Sequence, residues 1–403
     1  MIYLVSLTVF TTVILTLVLL LLFIEAKVVP KGDRRIVING DGEKALTVPM
    51  GASLLKALVD NTVFLPSACG GSGSCGQCRC RVLKGGGDIL PTELPHLTRR
   101  EKQEHVRLAC QLKIREDMAI EIPPEIFSIR KYPGTVASNR NIGTFIKELV
   151  IALSEPIEFQ AGQYMQIDAP AYDLSFTAFE IDPVFRDEWD RLGLPSLRAV
   201  NPEPIYRAYS LANPPSEDRR LAFTIRIATP PLDAKGAPPG VGSSYIFSLK
   251  AGDPVTLSGP YGDFRVKETD REMCFLGGGA GMAPLRSQIR DQLLRWHTGR
   301  KITFWYGARS RKEMLYDAEF RELENRFPNF SYEVALSEPL PGDGWDGLTG
   351  FIHQCAHDQY LESHPDPAEI EYYLCGPPVM IAAALAMIDN LGVEPEMIAF
   401  DEF

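Results

Sequence analysis

The chain has 403 residues, 45% of them hydrophobic and 23% charged, with 41 Lys and Arg against 52 Asp and Glu for a net charge of −11. This length predicts two or three domains, and the composition excludes a disordered, collagen-like or polytopic membrane chain. The acidic balance excludes a general nucleic-acid binder, because phosphate recognition needs a basic face.

Residues 2–24, IYLVSLTVFTTVILTLVLLLLFI, carry no ionisable side chain except Tyr3. As a helix at 1.5 Å per residue the run reaches roughly 35 Å, which predicts a transmembrane anchor over 1–25. A cleaved signal peptide is the competing reading, but there is no basic leader, the apolar run is too long, and no small-residue cleavage site closes it. Lys27, Lys31, Arg34 and Arg35 follow the run, so the positive-inside rule predicts a single-pass protein with its soluble domains on the cytoplasmic side. One helix without internal charge anchors a protein and makes no ion pathway.

Residues 33–127 form the next predicted module. RRIVINGDGEKALTVP reads as a hairpin turning at residues 39–42, and SLLKALVDN as a short helix capped by Ser53. Four of the eight cysteines then crowd into ACGGSGSCGQCRC, residues 68–80. Cys69, Cys75 and Cys78 have the spacing C-x5-C-x2-C, and Cys110 follows at a distance in LACQLKI. Plant-type [2Fe–2S] ferredoxins use C-x4-C-x2-C and a distant fourth Cys, so this loop is one residue longer. Gly70, Gly71, Gly73 and Gly76 suit a loop whose backbone amides must turn toward sulfide. Zinc competes for such cysteines, but it favours paired C-x2-C knuckles or histidine pairs, and no second knuckle or His pair is nearby. The reading is a β-grasp ferredoxin-type domain with Cys69, Cys75, Cys78 and Cys110 as iron ligands and Cys80 as a small buried residue.

Residues 128–269 read as a small antiparallel barrel of short strands separated by Gly- and Pro-rich turns. The sequence Arg207-Ala208-Tyr209-Ser210 lies within it, followed by Gly242-Ser243-Ser244. The segment 168–206 interrupts the barrel and holds eight acidic and three basic residues. Residues 270–403 begin with EMCFLGGGAGMAPLRSQIRDQLL, a strand, a Gly-rich turn and a helix. The turn departs from G-x-G-x-x-G because Met282 takes the last glycine's place, and reads instead as G-x-G-x-A-P through Gly279, Gly281, Ala283 and Pro284. Glycines let the backbone approach a pyrophosphate, and a helix N-terminus behind them favours its charge. KITFWYGARS, YEVALS and EIEYYLCGPPVM continue as buried strands alternating with helices, which predicts a parallel α/β sheet. Cys375, Gly376 and Pro377 end the last clear strand, where such sheets line their ligand crevice. His353 and His357 lack catalytic context and read as solvent or packing residues.

The R-x-Y-S and G-x-G-x-A-P motifs, in this order, resemble the ferredoxin–NADP⁺ reductase superfamily. The resemblance implies that Arg207 binds the flavin pyrophosphate, Tyr209 packs on the isoalloxazine, and Ser210 reaches flavin N5. It further implies that Gly242, Ser243 and Ser244 make a second phosphate contact and that Cys375 lies beside nicotinamide C4. A C-terminal aromatic then stacks on the flavin, by its D-E-F context Phe403, with Phe400 the alternate. With the leading apolar helix and the ferredoxin loop, the whole chain resembles the family of F subunits of the bacterial sodium-translocating NADH:quinone oxidoreductases. That implies an enzyme with FAD and a [2Fe–2S] cluster, NADH as substrate, and transfer of single electrons to other membrane subunits and finally ubiquinone. It also implies a place at the bacterial inner membrane. The acidic 168–206 insertion is expected to be either a docking surface for those subunits or a passive insertion. Two other functions remain open at this point: the NADH reductase component of a bacterial oxygenase, and a membrane-tethered electron carrier or redox sensor.

Overall fold

A computed structural model describes residues 2–28, 32–231 and 236–402, with side chains for all of these except 2–5, 8, 21–28, 43, 44 and 402. The chain divides into two compact units, Met1–Arg130 and Lys131–Phe403.

The first unit opens with a helix, Ile2–Val28. The anchor expected over 1–25 is corrected here: among the described residues no helix is long and apolar enough to cross a membrane.

The rest of this unit is a five-stranded sheet in the order Asp41–Pro49, Asp33–Ile38, Met118–Glu121, Arg79–Lys84, Val106–Leu108. Asp33–Ile38 runs parallel to Met118–Glu121, and the other pairs are antiparallel. The predicted hairpin turns at Asn39 and Gly40, both at positive φ (53° and 72°), which a two-residue hairpin loop twisted with its strands requires. The predicted helix is Leu54–Asp60, and the Ser53 side chain accepts from the Lys56 amide at its start. Its Leu54, Leu55, Ala57 and Leu58 are buried with Ile36, Ile38, Leu108, Ile114 and Ile120. Each fully buried Leu or Ile contributes roughly 1.5–3 kcal/mol. The sheet and helix are a β-grasp arrangement that leaves residues 68–78 as a loop.

The second unit holds two sheets. One is antiparallel, in the order Ile205–Ser210, Tyr164–Ala169, Pro254–Tyr261, Arg130–Gly143, Ile146–Leu153, Arg220–Arg226. Its two ends meet through the bridge between Leu211 and Phe223 and the bond from the Ala212 amide to the Ala222 carbonyl, 2.7 Å, so the sheet closes into a barrel. Residues 168–206 add a two-stranded ribbon, Tyr172–Ser175 with Arg198–Asn201, and a helix, Pro183–Arg191, capped by Asp182. Phe176, Phe179, Phe185 and Trp189 fold this insertion onto Phe145 and Phe247 of the barrel. The Trp189 indole N–H donates to the Thr144 carbonyl at 2.6 Å.

The other sheet is parallel throughout, in the order Leu348–Thr349, Phe330–Leu336, Ile302–Ala308, Met273–Gly278, Glu371–Gly376, Ile398–Glu402. The chain builds outward from Met273–Gly278 in one direction, then returns to lay Glu371–Gly376 on its other side. That reversal is a topological switch point, and ligands of open α/β sheets bind outside the carboxyl ends of the strands there.

Candidate functional site

In the first unit, Gly73 and Gly76 lie at φ 89° and 64° and are packed from outside. A Cβ on Gly73 would come within 2.5 Å of Gln111, and one on Gly76 within 2.8 Å of His96. Only glycine therefore lets the cysteine loop take this path. Inside the loop the Ser67 hydroxyl accepts from the Gly71 amide at 3.1 Å and the Gln77 side chain from the Ala68 amide at 3.1 Å.

The structure brings all four predicted iron ligands to this loop in two pairs. The Cys75 thiol donates to the Cys69 sulfur at 3.3 Å, and Cys78 is hydrogen bonded to Cys110. The Cys75 bond holds the Cys69 thiol well below its ordinary range, and the Cys78 bond does the same for Cys110. Their partners Cys75 and Cys78 are pushed up by these same bonds and by burial. A single tetrahedral zinc, with bonds of about 2.3 Å, would gather its sulfurs to about 3.8 Å from one another. Among the described residues no three cysteine sulfurs lie within 4.8 Å of each other. Two spaced pairs fit a two-iron cluster better than one ion. Cys80 is buried on the strand Arg79–Lys84, where burial pushes its thiol up to about 12.

Sequence reasoning missed what holds Cys110 in place. Glu93 and Arg107, both buried, form an ion pair at 2.7 Å. Glu93 also accepts from the amides of Leu108 and Leu90, both at 2.9 Å. Burial pushes the Glu93 carboxyl up, but Arg107 and the two amides outweigh it and leave it below the usual range. No spacing rule links residues 14 apart across a loop, so the pair leaves no signature in the sequence.

In the barrel, Arg207 and Tyr209 share a strand two residues apart and so face the same side, with Ser210 on the other. Gly242 lies in the first turn of the helix Val241–Ser248 and presses on both: a Cβ there would come within 2.6 Å of the Arg207 chain and 2.7 Å of the Tyr209 hydroxyl. A guanidinium and the free amides of a helix N-terminus thus stand together, a combination that attracts phosphate. Burial pushes the Tyr209 phenol up, so it stays neutral. Among the described residues no hydrogen bond of ordinary geometry reaches the buried Ser244 hydroxyl, which stands within reach of the Tyr172 phenol. Ser243 differs: its hydroxyl accepts from the Ala228 amide at 3.0 Å and donates to the Gly240 carbonyl at 3.2 Å. From the insertion, Tyr172 donates to the Val241 carbonyl and stacks on Tyr245, a contribution with no sequence signal.

At the switch point, Gly277 is in register with Cys375. The turn through Gly279 and Gly281 therefore lies beside the turn through Cys375, Gly376 and Pro377. Gly281 sits so close that a Cβ would come within 2.0 Å of the Cys375 carbonyl oxygen. Met282, Ala283 and Pro284 form the buried first turn of the helix Met282–Arg290. That helix is tied to the barrel just beyond Ser210: Arg286 donates to the Ala212 carbonyl at 2.9 Å and Ser287 to the Asn213 carbonyl at 2.7 Å. The Cys375 thiol is fully buried, and burial together with Asp401 pushes it well above the ordinary thiol range, so it is neutral. Phe400 pairs with Leu374 at the sheet edge and is half exposed. Phe403 lies outside the described residues. His357 pairs with Asp358 at 2.9 Å at the surface.

Three family models match the chain: a 2Fe-2S iron-sulfur cluster binding domain over residues 36–115, an oxidoreductase FAD-binding domain over 195–266, and an oxidoreductase NAD-binding domain over 275–385. The chain is 51% identical over 396 residues to the F subunit of the Na(+)-translocating NADH-quinone reductase of Neisseria meningitidis, covering 98% of this chain and 97% of that one. It is 50% identical over 397 residues to the protein of the same name in Methylococcus capsulatus, with the same coverage. Among solved structures, an Amycolatopsis cytochrome P450 reductase is similar in fold, with a TM-score of 0.62 at 24% identity over 92% of this chain and 98% of that one. The ferredoxin reductase of a carbazole 1,9a-dioxygenase has a TM-score of 0.61 at 25% identity over 93% and 99%.

Proposed function

Since the chain belongs to the family of Na(+)-translocating NADH-quinone reductase F subunits, we propose how its own residues divide the work of electron input. The protein is an oxidoreductase that takes electrons from NADH through FAD and a [2Fe–2S] cluster toward quinone. The oxygenase-reductase reading shares the fold, but full-length identity at 51% lies with the quinone reductases. FAD accepts a hydride and can give up electrons one at a time, and the cluster carries single electrons.

The observation that carries the assignment is the tie between motifs. The helix behind the Gly279–Gly281 turn donates to the backbone of Ala212 and Asn213, immediately after the strand bearing Arg207, Tyr209 and Ser210. Arg207 and the amides at Gly242 and Ser243 hold the flavin pyrophosphate, with the Ser244 hydroxyl as a further donor. Tyr209 would support the flavin ring, and Ser210, at the end of the same strand, would hold a hydroxyl near its reactive nitrogen. Gly279, Gly281, Met282, Ala283 and Pro284 shape the NADH pyrophosphate turn, and Cys375, Gly376 and Pro377 form the opposite wall at the nicotinamide. Cys375 would serve there as a neutral packing group, and Phe403, or Phe400, would be the aromatic that covers the flavin face. Cys69, Cys75, Cys78 and Cys110 hold the cluster.

The domains follow the same division, with 33–127 for the cluster, 128–269 for FAD and 270–403 for NADH. The protein works with the other subunits of its complex, and sodium translocation requires that complex to act at a membrane. The acidic insertion 168–206 is the surface we assign to those subunits, and the cytoplasmic face of the bacterial inner membrane is the side where NADH is available. Replacing Cys78→Ala tests the wiring: the cluster signal should vanish while NADH still bleaches the flavin. Loss of both would contradict separate cofactor modules.

A further inference from the structure

Beside the cluster loop, the side chain of Gln111 folds back on its neighbour, and its amide nitrogen donates to the Cys110 sulfur at 3.4 Å. Its amide oxygen accepts from the Thr92 hydroxyl at 2.9 Å. With Thr92 donating to that oxygen, the amide nitrogen is the end that faces sulfur. Thr92 is itself set by Glu93, which Arg107 and the Leu108 amide grip from inside the fold. On the far side, a Cβ at Gly73 would come within 2.5 Å of the same amide nitrogen, so the loop carrying Cys69 and Cys75 leaves room for it only as glycine. Three separate stretches of chain thus converge on one N–H···S contact.

Resting on the reading of Cys110 as an iron ligand, we propose that Gln111 is a positioning residue that sets the reduction potential of the cluster, with Thr92 fixing its orientation. Reduction adds one electron, supplied by the flavin, and breaks no bond. A donor aimed at a ligand sulfur offsets part of the added negative charge and so favours the reduced state. Loss of the donor therefore shifts the midpoint to more negative values.

The test is an EPR-monitored redox titration of the full chain purified with its cluster. Gln111→Leu should retain the cluster's absorbance and EPR signal, while the reduced-to-oxidised ratio at a given potential falls about tenfold, or about 59 mV for a one-electron couple. Thr92→Val should shift the midpoint the same way by less, and Thr92→Ser, which keeps the hydroxyl, should retain the wild-type value. A wild-type midpoint in Gln111→Leu overturns the proposal. Should that variant not take up iron, a wild-type midpoint in Thr92→Val overturns it instead. A Cys110→Ala chain that keeps an unaltered cluster would overturn the ligand reading, and this proposal with it.

Discussion

At Gly281 one absent methyl group sets the distance between two turns, because a Cβ would come within 2.0 Å of the Cys375 carbonyl oxygen and 2.3 Å of its carbon. Both contacts are with backbone, which cannot swing aside as a side chain can. Gly281→Ala should therefore force the nucleotide turn away from the strand end while leaving the barrel's FAD in place. A displacement of this size costs roughly a hundredfold in reactivity when it misaligns reacting atoms. Stopped-flow flavin bleaching by NADH should slow by about that factor with unchanged FAD content, and wild-type bleaching would refute the close packing. Gly281 was legible in the sequence because its motif is contiguous. The partner it presses on was not, since 94 positions and several strands separate Gly281 from Cys375.

The elements divide in the same way between readable and unreadable. The hairpin at Asn39 and Gly40 and the Ser53-capped helix were legible because turn and cap chemistry is local. Barrel closure through Leu211 and Phe223 was not, because strand order has no local signature. The apolar run at the N-terminus does form a helix, Ile2–Val28, yet the expected span did not survive among the described residues. The Glu93–Arg107 pair shows how an element acquires stability that no motif announces. Glu93→Gln leaves Arg107 buried without its counter-charge, a change that costs about 3–5 kcal/mol. Urea unfolding followed by loss of cluster absorbance should show a lower midpoint, and an unchanged one would mean that the pair contributes nothing. The sign of the pH effect follows from the depressed Glu93 carboxyl. Its contribution is complete above the unfolded value of about 4.3 and is lost as pH falls through the lower folded value. Acid sensitivity of the cluster module should therefore be weaker in Glu93→Gln than in the wild type.

Across the whole molecule, charge is unevenly divided. Residues 33–127 hold 13 basic and 12 acidic residues, whereas 128–403 hold 26 basic and 39 acidic. A freely diffusing carrier uses net charge to steer toward its partner. A cluster module joined covalently to its electron donor has no such need, and its near-neutrality accords with that. Electron transfer from flavin to cluster should then be independent of protein concentration and respond little to ionic strength, in contrast with a bimolecular encounter. The measurement that bears most directly on this account is anaerobic rapid mixing of the full chain with NADH, read by flavin absorbance and by freeze-quench EPR of the cluster. Flavin bleaching should come first and the cluster signal second, at a rate that does not change on dilution. Cluster reduction before flavin bleaching, or none after it, would contradict the assignment of electron input to this single chain.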